Sequence, residues 1–189
     1  MLKRGILSVI VFFVSLSVLA QTGMDINYKN KSLVKTLTKS GLTDISKVQE
    51  IILPDSLLSQ PMKGKFFRIE SENVSKYKYI YVGRVNSCRA GGCSISNNSS
   101  DDGNSEYFDY FMLFDKNKTV RLVQVFNYQA THGQEVTSRG WLKQFVGHDS
   151  SQKLRVNKNV DSISGATISV YVITNDVELK TKLLHVFNG

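Results

Sequence analysis

The chain has 189 residues, of which 41% are hydrophobic and 21% are charged. That length accommodates one domain with a sizeable core. The formal charge is +8, but the basic residues are spread along the chain and form no cluster interleaved with aromatic residues. A nucleic-acid partner is therefore not expected.

Residues 1–20 have the features of an export signal. Lys3 and Arg4 precede an uncharged, mostly apolar run, and a small-residue cleavage site follows it. A membrane anchor is the alternative, but the apolar run is short for a bilayer core of about 30 Å. We therefore expect residues 21–189 to form a single exported domain, periplasmic or associated with the cell envelope. Its formal charge is +6, because cleavage removes two basic residues and no acidic residue.

The N-terminal part of the mature domain predicts one helix and then strands. Apolar residues recur at helical spacing within Ser32–Ser40, and Gly41 ends that helix. The apolar run Val48–Leu53 is compatible with either a helix or a strand. Lys65–Glu70 and Tyr77–Val85 have the aromatic and β-branched content of strands.

A polar loop with two cysteines is predicted next. Asn86–Gly103 consists mostly of small and polar residues and contains Cys88 and Cys93, the only cysteines in the chain. In an oxidising compartment this pair is expected to close a small disulfide loop, since the glycines between them provide the backbone freedom that a tight ring needs. A redox-active dithiol and half of a metal site are the alternatives.

The clearest predicted hairpin pairs Tyr107–Phe114 with Thr119–Tyr128 through a short polar turn. Both flanks are rich in aromatic and β-branched residues. Simple alternation along the second strand places Val120, Leu122 and Gln124 on one face.

Two helices are predicted in the C-terminal part of the chain. Ser138–Phe145 is short, whereas the second helix runs from Gly165 towards the C-terminus with an apolar stripe. The stripe consists of Ile168, Val172, Leu179, Leu183 and Val186. Because Val170–Thr174 is rich in β-branched residues, a break near Asn175 and Asp176 is the alternative. The elements together predict an α+β fold, a single domain with a mostly antiparallel sheet and helices packed on it.

The strongest functional signal is the segment V-D-S-I-S-G-A-T-I-S. It places the Asp161 carboxylate, then Gly165 and Ala166, and then the Thr167 hydroxyl at the start of the last helix. Backbone N–H groups at a helix start attract anions, and a glycine lets a ligand approach the backbone closely. The segment therefore predicts a phosphate site. An ordinary helix cap, with Asp161 or Ser164 as the capping residue, is the alternative.

This segment resembles the D-x-x-[ST]-G-A-[ST] signature of FMN-binding domains. Such domains occur in the flavin-carrying subunits of sodium-translocating NADH:quinone oxidoreductases and of Rnf-type electron-transport complexes. The resemblance implies an FMN-binding-domain-like fold, with the FMN phosphate esterified to the Thr167 hydroxyl by a dedicated flavin transferase. The cofactor-binding residues implied with it are Asp161, Ser164, Gly165 and Ala166.

The likeness continues into the loop that follows the hairpin. The chain keeps the family's Thr131 and Gly133, but Ala130 stands where the family has a glutamate and His132 where it has a proline. The short helix after the loop keeps the family's spacing of tryptophan, phenylalanine and glycine.

The loop provides four candidate contacts for the flavin ring, namely His132, Gly133, Gln134 and Glu135. Gly133 permits close approach of the backbone, and the three polar side chains offer hydrogen bonds that would tune the flavin potential. Each polar side chain also fits a solvated surface loop. Trp141 is expected to anchor its helix in the core and not to stack on a ligand.

Three functions are compatible with the sequence. The first is an exported flavoprotein that carries FMN covalently and transfers electrons to and from a redox partner, which is either soluble or membrane-bound. The second is a flavin-dependent reductase of a small molecule, for which His132 and His148 are the acid–base candidates. The third is a cofactor-free binding module in which the motif is only a cap. The motifs of nicotinamide enzymes and zinc hydrolases are missing from the sequence.

Overall fold

The computed structural model of the protein describes residues 25–42, 44–58, 61–70, 76–89 and 105–187. The predicted signal peptide, the side chain of Cys88 and the whole of Cys93 lie outside this part of the chain. Export and the disulfide therefore stay predictions.

A five-stranded antiparallel sheet forms the centre of the described structure. Its strands, in both chain order and sheet order, are β1 (Val48–Ile51), β2 (Gly64–Ile69), β3 (Tyr79–Arg89), β4 (Ser105–Phe114) and β5 (Val120–Tyr128). The α-helices of the described residues are α1 (Lys31–Lys39), α2 (Arg139–Leu142) and α3 (Thr167–Val186). This arrangement confirms the predicted single α+β domain.

Helix α1 covers one face of the sheet. The Asn30 side chain accepts a hydrogen bond from the backbone N–H of Leu33 at 2.9 Å and so caps the helix start. Leu33 and Leu37 then pack against alternate residues of the central strands, of which Ile80 and Phe111 are completely buried. The helix is stabilised by this packing because its two leucines share one face, as the apolar spacing predicts.

Helix α3 covers the opposite face, but not with the predicted stripe. Leu179 is 44% exposed and Val186 is 51% exposed, so the predicted apolar stripe is wrong at these two residues, whereas Val172 and Leu183 are partly buried against the core. The buried positions are Ser169, Val170, Ile173, Thr174, Val177, Lys180, Thr181 and Leu184. Half of these side chains are polar, and apolar spacing alone therefore selected the wrong face. The predicted alternative of a break near Asn175 and Asp176 is also wrong, because the helix is continuous there.

Three of the four polar residues that α3 buries, Ser169, Lys180 and Thr181, have a partner on the sheet or within the helix, whereas the Thr174 hydroxyl has none among the described residues. The Lys180 ammonium lies 3.0 Å from the Asp176 carboxylate, one helical turn earlier. The Tyr110 hydroxyl of β4 donates a hydrogen bond to the same carboxylate. Burial, together with the nearby negative charge, raises the pKa of Tyr110 well above its usual range. This pairing explains how charged residues are accommodated in the core.

Two strand predictions need correction. The first is the simple alternation in β5. The pairing of β4 with β5 shifts between Leu113 and Phe114, so that Arg121 of β5 is an extra residue with no opposite residue on β4. Val120 consequently packs on the α3 side, whereas Leu122 packs on the α1 side. The second is the start of the polar loop, since β3 continues to Arg89 and pairs with β4 beyond the predicted end. The ambiguous run after α1 forms strand β1.

A buried ion pair joins β3 to β4. The Arg84 guanidinium binds both carboxylate oxygens of Asp109, at 2.6 and 3.1 Å, and lies 3.7 Å from the centre of the Tyr107 ring. The Asn127 amide of β5 donates to the same carboxylate at 2.8 Å. Asp109 is only 1% exposed, so three strands depend on one buried carboxylate.

We predict that Asp109→Ala lowers the free energy of unfolding by about 3–5 kcal/mol, because it leaves a largely buried guanidinium without its partner. Glu50→Ala is the matched control, since it removes a carboxylate from the exposed pair between β1 and Lys65 of β2. The control should lose far less stability, because exposed pairs are screened by water. Urea unfolding of both variants measures the difference. Equal losses would contradict a special role for the buried pair.

Candidate functional site

A tight turn brings the motif to the start of α3. The backbone N–H of Ala166 donates to the Ile163 carbonyl at 3.1 Å, and Gly165 between them has a φ of +79°. That positive φ favours glycine at this position of the turn. Ala166 is buried in the core, and Thr167 follows it as the first residue of the helix, with its side chain exposed.

The start of α3 has no capping side chain. The residue before the helix is Ala166, and neither Asp161 nor Ser164 hydrogen-bonds to the helix, so the predicted alternative of an ordinary cap is wrong. The first intrahelical bond joins the Val170 N–H to the Ala166 carbonyl at 2.9 Å. Within the described residues, no side chain accepts a hydrogen bond from the earlier N–H groups. Since the helix has 20 residues, its dipole adds to the positive potential of these groups.

Helix α2 and the residues after it hold Asp161 by its backbone. The Trp141 indole donates to the Asp161 carbonyl at 2.9 Å, and the Asp161 N–H donates to the Gln144 side chain at 2.7 Å. Trp141 also packs edge-on against Phe145, with ring centres 5.3 Å apart. Trp141 is therefore a packing residue, as predicted, and it also fixes the start of the motif. The Asp161 residue itself stays exposed.

The loop after β5 lies against the first turn of α3. Gly133 is buried with a φ of +87°, and a Cβ atom there would lie 2.6 Å from the Ser169 hydroxyl oxygen. The Tyr128 hydroxyl donates to the His132 carbonyl and lies 3.2 Å from the same Ser169 oxygen. The Tyr128 ring stacks on Phe108 at 5.3 Å, and partial burial raises the pKa of the Tyr128 hydroxyl.

Ser169 is the residue where three elements meet. It is 2% exposed, and its hydroxyl lies 2.8 Å from the Ser87 hydroxyl of β3. The start of α3 is thereby joined to the ends of β3 and β5. Sequence reasoning missed Ser87, Tyr128 and Ser169, since single hydroxyl residues carry no pattern. The only sequence signal was indirect, namely a glycine in the loop that implies a close contact.

The structure brings some predicted site residues together and leaves others apart. The His132 backbone and Gly133 meet the first turn of α3, two residues after Thr167. The side chains of His132, Gln134 and Glu135 are exposed, and in the described structure no hydrogen bond joins them to α3. Their contact with a flavin ring therefore stays a prediction.

His148 is a core residue away from this site. It is 9% exposed, and its Nε2 atom has no hydrogen-bond partner among the described residues. The His148 carbonyl accepts a hydrogen bond from the backbone N–H of Val120. Val120 begins β5 and Tyr128 ends it, so His148 lies about 26 Å, the length of the strand, from the Tyr128 end. Burial lowers the pKa of His148, and the carboxylates of Glu178 and Asp149 oppose that shift. The reductase hypothesis therefore loses one of its two acid–base candidates at the motif.

No protein-family model matches the chain, and none of the curated proteins compared with it is significantly similar. Among the helices of the described residues, none has the length and apolar character needed to span a bilayer.

We predict that Gly133→Ala destabilises the protein more than Gly165→Ala. Both substitutions force a side chain into positive φ, which costs about 1–2 kcal/mol. Only the first also drives a methyl group into Ser169, and such overpacking adds about 1–3 kcal/mol. The Cβ at Gly165 meets nothing within 4 Å. Urea unfolding compares the two, and a larger loss for Gly165→Ala would contradict the tight loop contact.

We predict that His148 makes the fold less stable in mild acid. Its folded pKa is lowered from 6.5, so the unfolded state binds the proton first as the pH falls below about 6.5. The stabilisation is complete above that pH and is lost as the pH falls through the folded pKa. The free energy of unfolding should therefore fall more between pH 7.5 and 5.5 in the wild type than in His148→Gln. Identical falls would contradict the assignment.

Proposed function

We propose that the protein is an exported flavoprotein that holds FMN through a phosphoester at Thr167 and transfers electrons between redox partners. One observation carries the proposal, and it is the exposed Thr167 hydroxyl at the first position of a long helix whose start has no capping side chain. The segment around it resembles the signature of covalent FMN-binding domains.

The surroundings of Thr167 fit a phosphate group. Position 165 is open, since a Cβ there would meet no atom within 4 Å, and the glycine leaves the backbone accessible to a bulky group. The N–H groups of the first turn of α3 supply hydrogen-bond donors and a positive potential, which together favour an anion. Ala166 is buried and so fixes the backbone on which Thr167 stands.

The loop after β5 is the part of the chain that would orient the ring. Gly133 and the His132 carbonyl are fixed against the start of α3, so the neighbouring exposed side chains of His132, Gln134 and Glu135 lie on a loop held near Thr167. FMN supplies the redox chemistry when bound, and these residues would bind and orient it. The chain itself needs no acid–base group for electron transfer.

Asp161 has the properties of a recognition residue for the flavin transferase. Its backbone is hydrogen-bonded on both sides, whereas its carboxylate takes part in no hydrogen bond or ion pair of the described structure. Because this side chain does not support the fold, it is available to bind the enzyme that modifies the nearby threonine. In this proposal the partners are the transferase and a redox protein of the cell envelope, either soluble or membrane-bound.

Two observations favour this function over the alternatives. The hypothesis of a cofactor-free module requires the motif to be a helix cap, and no side chain of the described residues caps α3. The small-molecule reductase needs an acid–base group beside the flavin, and of its two candidates His148 is buried at the far end of β5.

We predict that Thr167→Val abolishes covalent flavin, because valine keeps the shape of the side chain and lacks the hydroxyl. Thr167→Ser is the matched control and should retain the flavin, because serine supplies the same nucleophilic oxygen. Each protein is produced together with a flavin transferase, denatured, separated on a gel and examined for flavin fluorescence. Thr167 is exposed, so both variants should unfold at the same urea concentration as the wild type. Fluorescence of the valine variant would refute the attachment site.

A further inference from the structure

A cavity of about 510 Å³ lies between α1 and the segment that begins with α2. Strand β5 forms its floor through residues 122–124, and Leu122 and Val123 make that floor apolar. A volume of this size matches the clefts in which proteins hold small organic molecules, about 300–1,000 Å³.

Helix α1 contributes one wall of the cavity through a single helical stripe. Ser32, Lys35, Thr36 and Lys39 recur at intervals of three and four residues and therefore share one face of the helix. This face is separate from the leucine face that packs on the sheet. The wall carries two ammonium groups and two hydroxyl groups.

The opposite wall repeats this spacing. Arg139, Leu142, Lys143 and Val146 line the cavity at the same intervals and add two more cations. Trp141 and Gln144 of the same segment, which contact Asp161, lie on its other side. The cavity is therefore distinct from the motif around Thr167.

The described residues of this cavity provide no counter-charge for the four cations. Among the described residues that line it none is acidic, and Lys35, Lys39, Arg139 and Lys143 form no ion pair in the described part of the chain. A second cavity, of about 400 Å³ along α3, differs in this respect, since the Asp176 carboxylate on its wall pairs with a lysine.

The Ser32 hydroxyl on the α1 wall offers a further hydrogen-bond donor. The Gln124 amide donates to the Ser32 hydroxyl oxygen at 2.6 Å. That bond uses an acceptor site of Ser32 and leaves its own proton available to donate. A cavity with four cations, a hydroxyl donor and an apolar floor is complementary to an anion attached to an apolar body.

We propose that this cavity binds a phosphate ester with an apolar body, either the headgroup region of an anionic phospholipid or a soluble organic phosphate. Lysine ammonium groups bind phosphate as point charges, and arginine adds paired donors for its oxygens. The four cations are exposed, so water screens their mutual repulsion, but together they give the cavity a positive potential that attracts an anion. The proposal does not depend on the flavin at Thr167.

The test measures binding of the full mature protein to two probes. Sedimentation with vesicles of phosphatidylglycerol and phosphatidylcholine tests the lipid source, with pure phosphatidylcholine vesicles as the blank. Calorimetric titration with phenyl phosphate tests the soluble source, with phenol as the blank. Binding to the vesicles alone assigns the lipid, and binding to phenyl phosphate assigns a soluble ester. Binding to neither anionic probe would overturn the proposal.

Charge-matched variants show whether the anionic probes bind in this cavity. Lys35→Gln with Lys143→Gln removes one cation from each wall, whereas Lys153→Gln with Lys158→Gln removes the same charge from an exposed segment outside the cavity. We expect a loss of about tenfold or more for the first pair, since each lysine near an anionic surface contributes about 1 kcal/mol. The second pair should change binding by less than about twofold, as its lysines do not line the cavity. Equal losses would mean that only net charge matters and would refute the site.

Discussion

The contact between Ser169 and the loop after β5 fixes the arrangement on which the candidate site depends. Gly133 leaves no room for a side chain against Ser169, and the Ser87 and Tyr128 hydroxyls meet the same oxygen. Three segments that are distant in sequence are thereby held at one point. Because Ser169 lies in the first turn of α3, this contact also sets where the motif stands relative to the sheet.

Much of the fold followed from local patterns because those patterns have a direct physical cause. The leucine spacing of α1, the aromatic strands and the hairpin between β4 and β5 all reflect which side chains face the core. The face of α3 did not follow, since its buried side includes Ser169, Lys180 and Thr181. Ser169 bonds to Ser87 of β3, whereas Lys180 and Thr181 find their polar partners within α3 itself. A single sequence does not reveal which of these polar side chains will face the core. The bulge at Arg121 was also missed.

The candidate site also has features that the sequence predicted and features that it did not. A helix start close to Thr167 was predictable, because the helical pattern marks it locally. The predicted first residue, Gly165, is wrong by two positions, since Gly165 lies in a turn with a φ of +79° and the helix begins at Thr167. The absence of a capping side chain there, in the described structure, was not predictable, since Asp161 and Ser164 are both common caps. The hydrogen bond from the Trp141 indole to the Asp161 carbonyl joins residues that are twenty positions apart. Only the three-dimensional structure reveals it.

The central claim is that the Thr167 hydroxyl is esterified to FMN. The most direct measurement is the intact mass of denatured wild-type protein, exported from cells that contain a flavin transferase, followed by sequencing of any modified peptide. We expect a polypeptide heavier by one esterified FMN, with the added mass on the peptide that contains Thr167. An unmodified polypeptide, or a modification on any other residue, would contradict this claim.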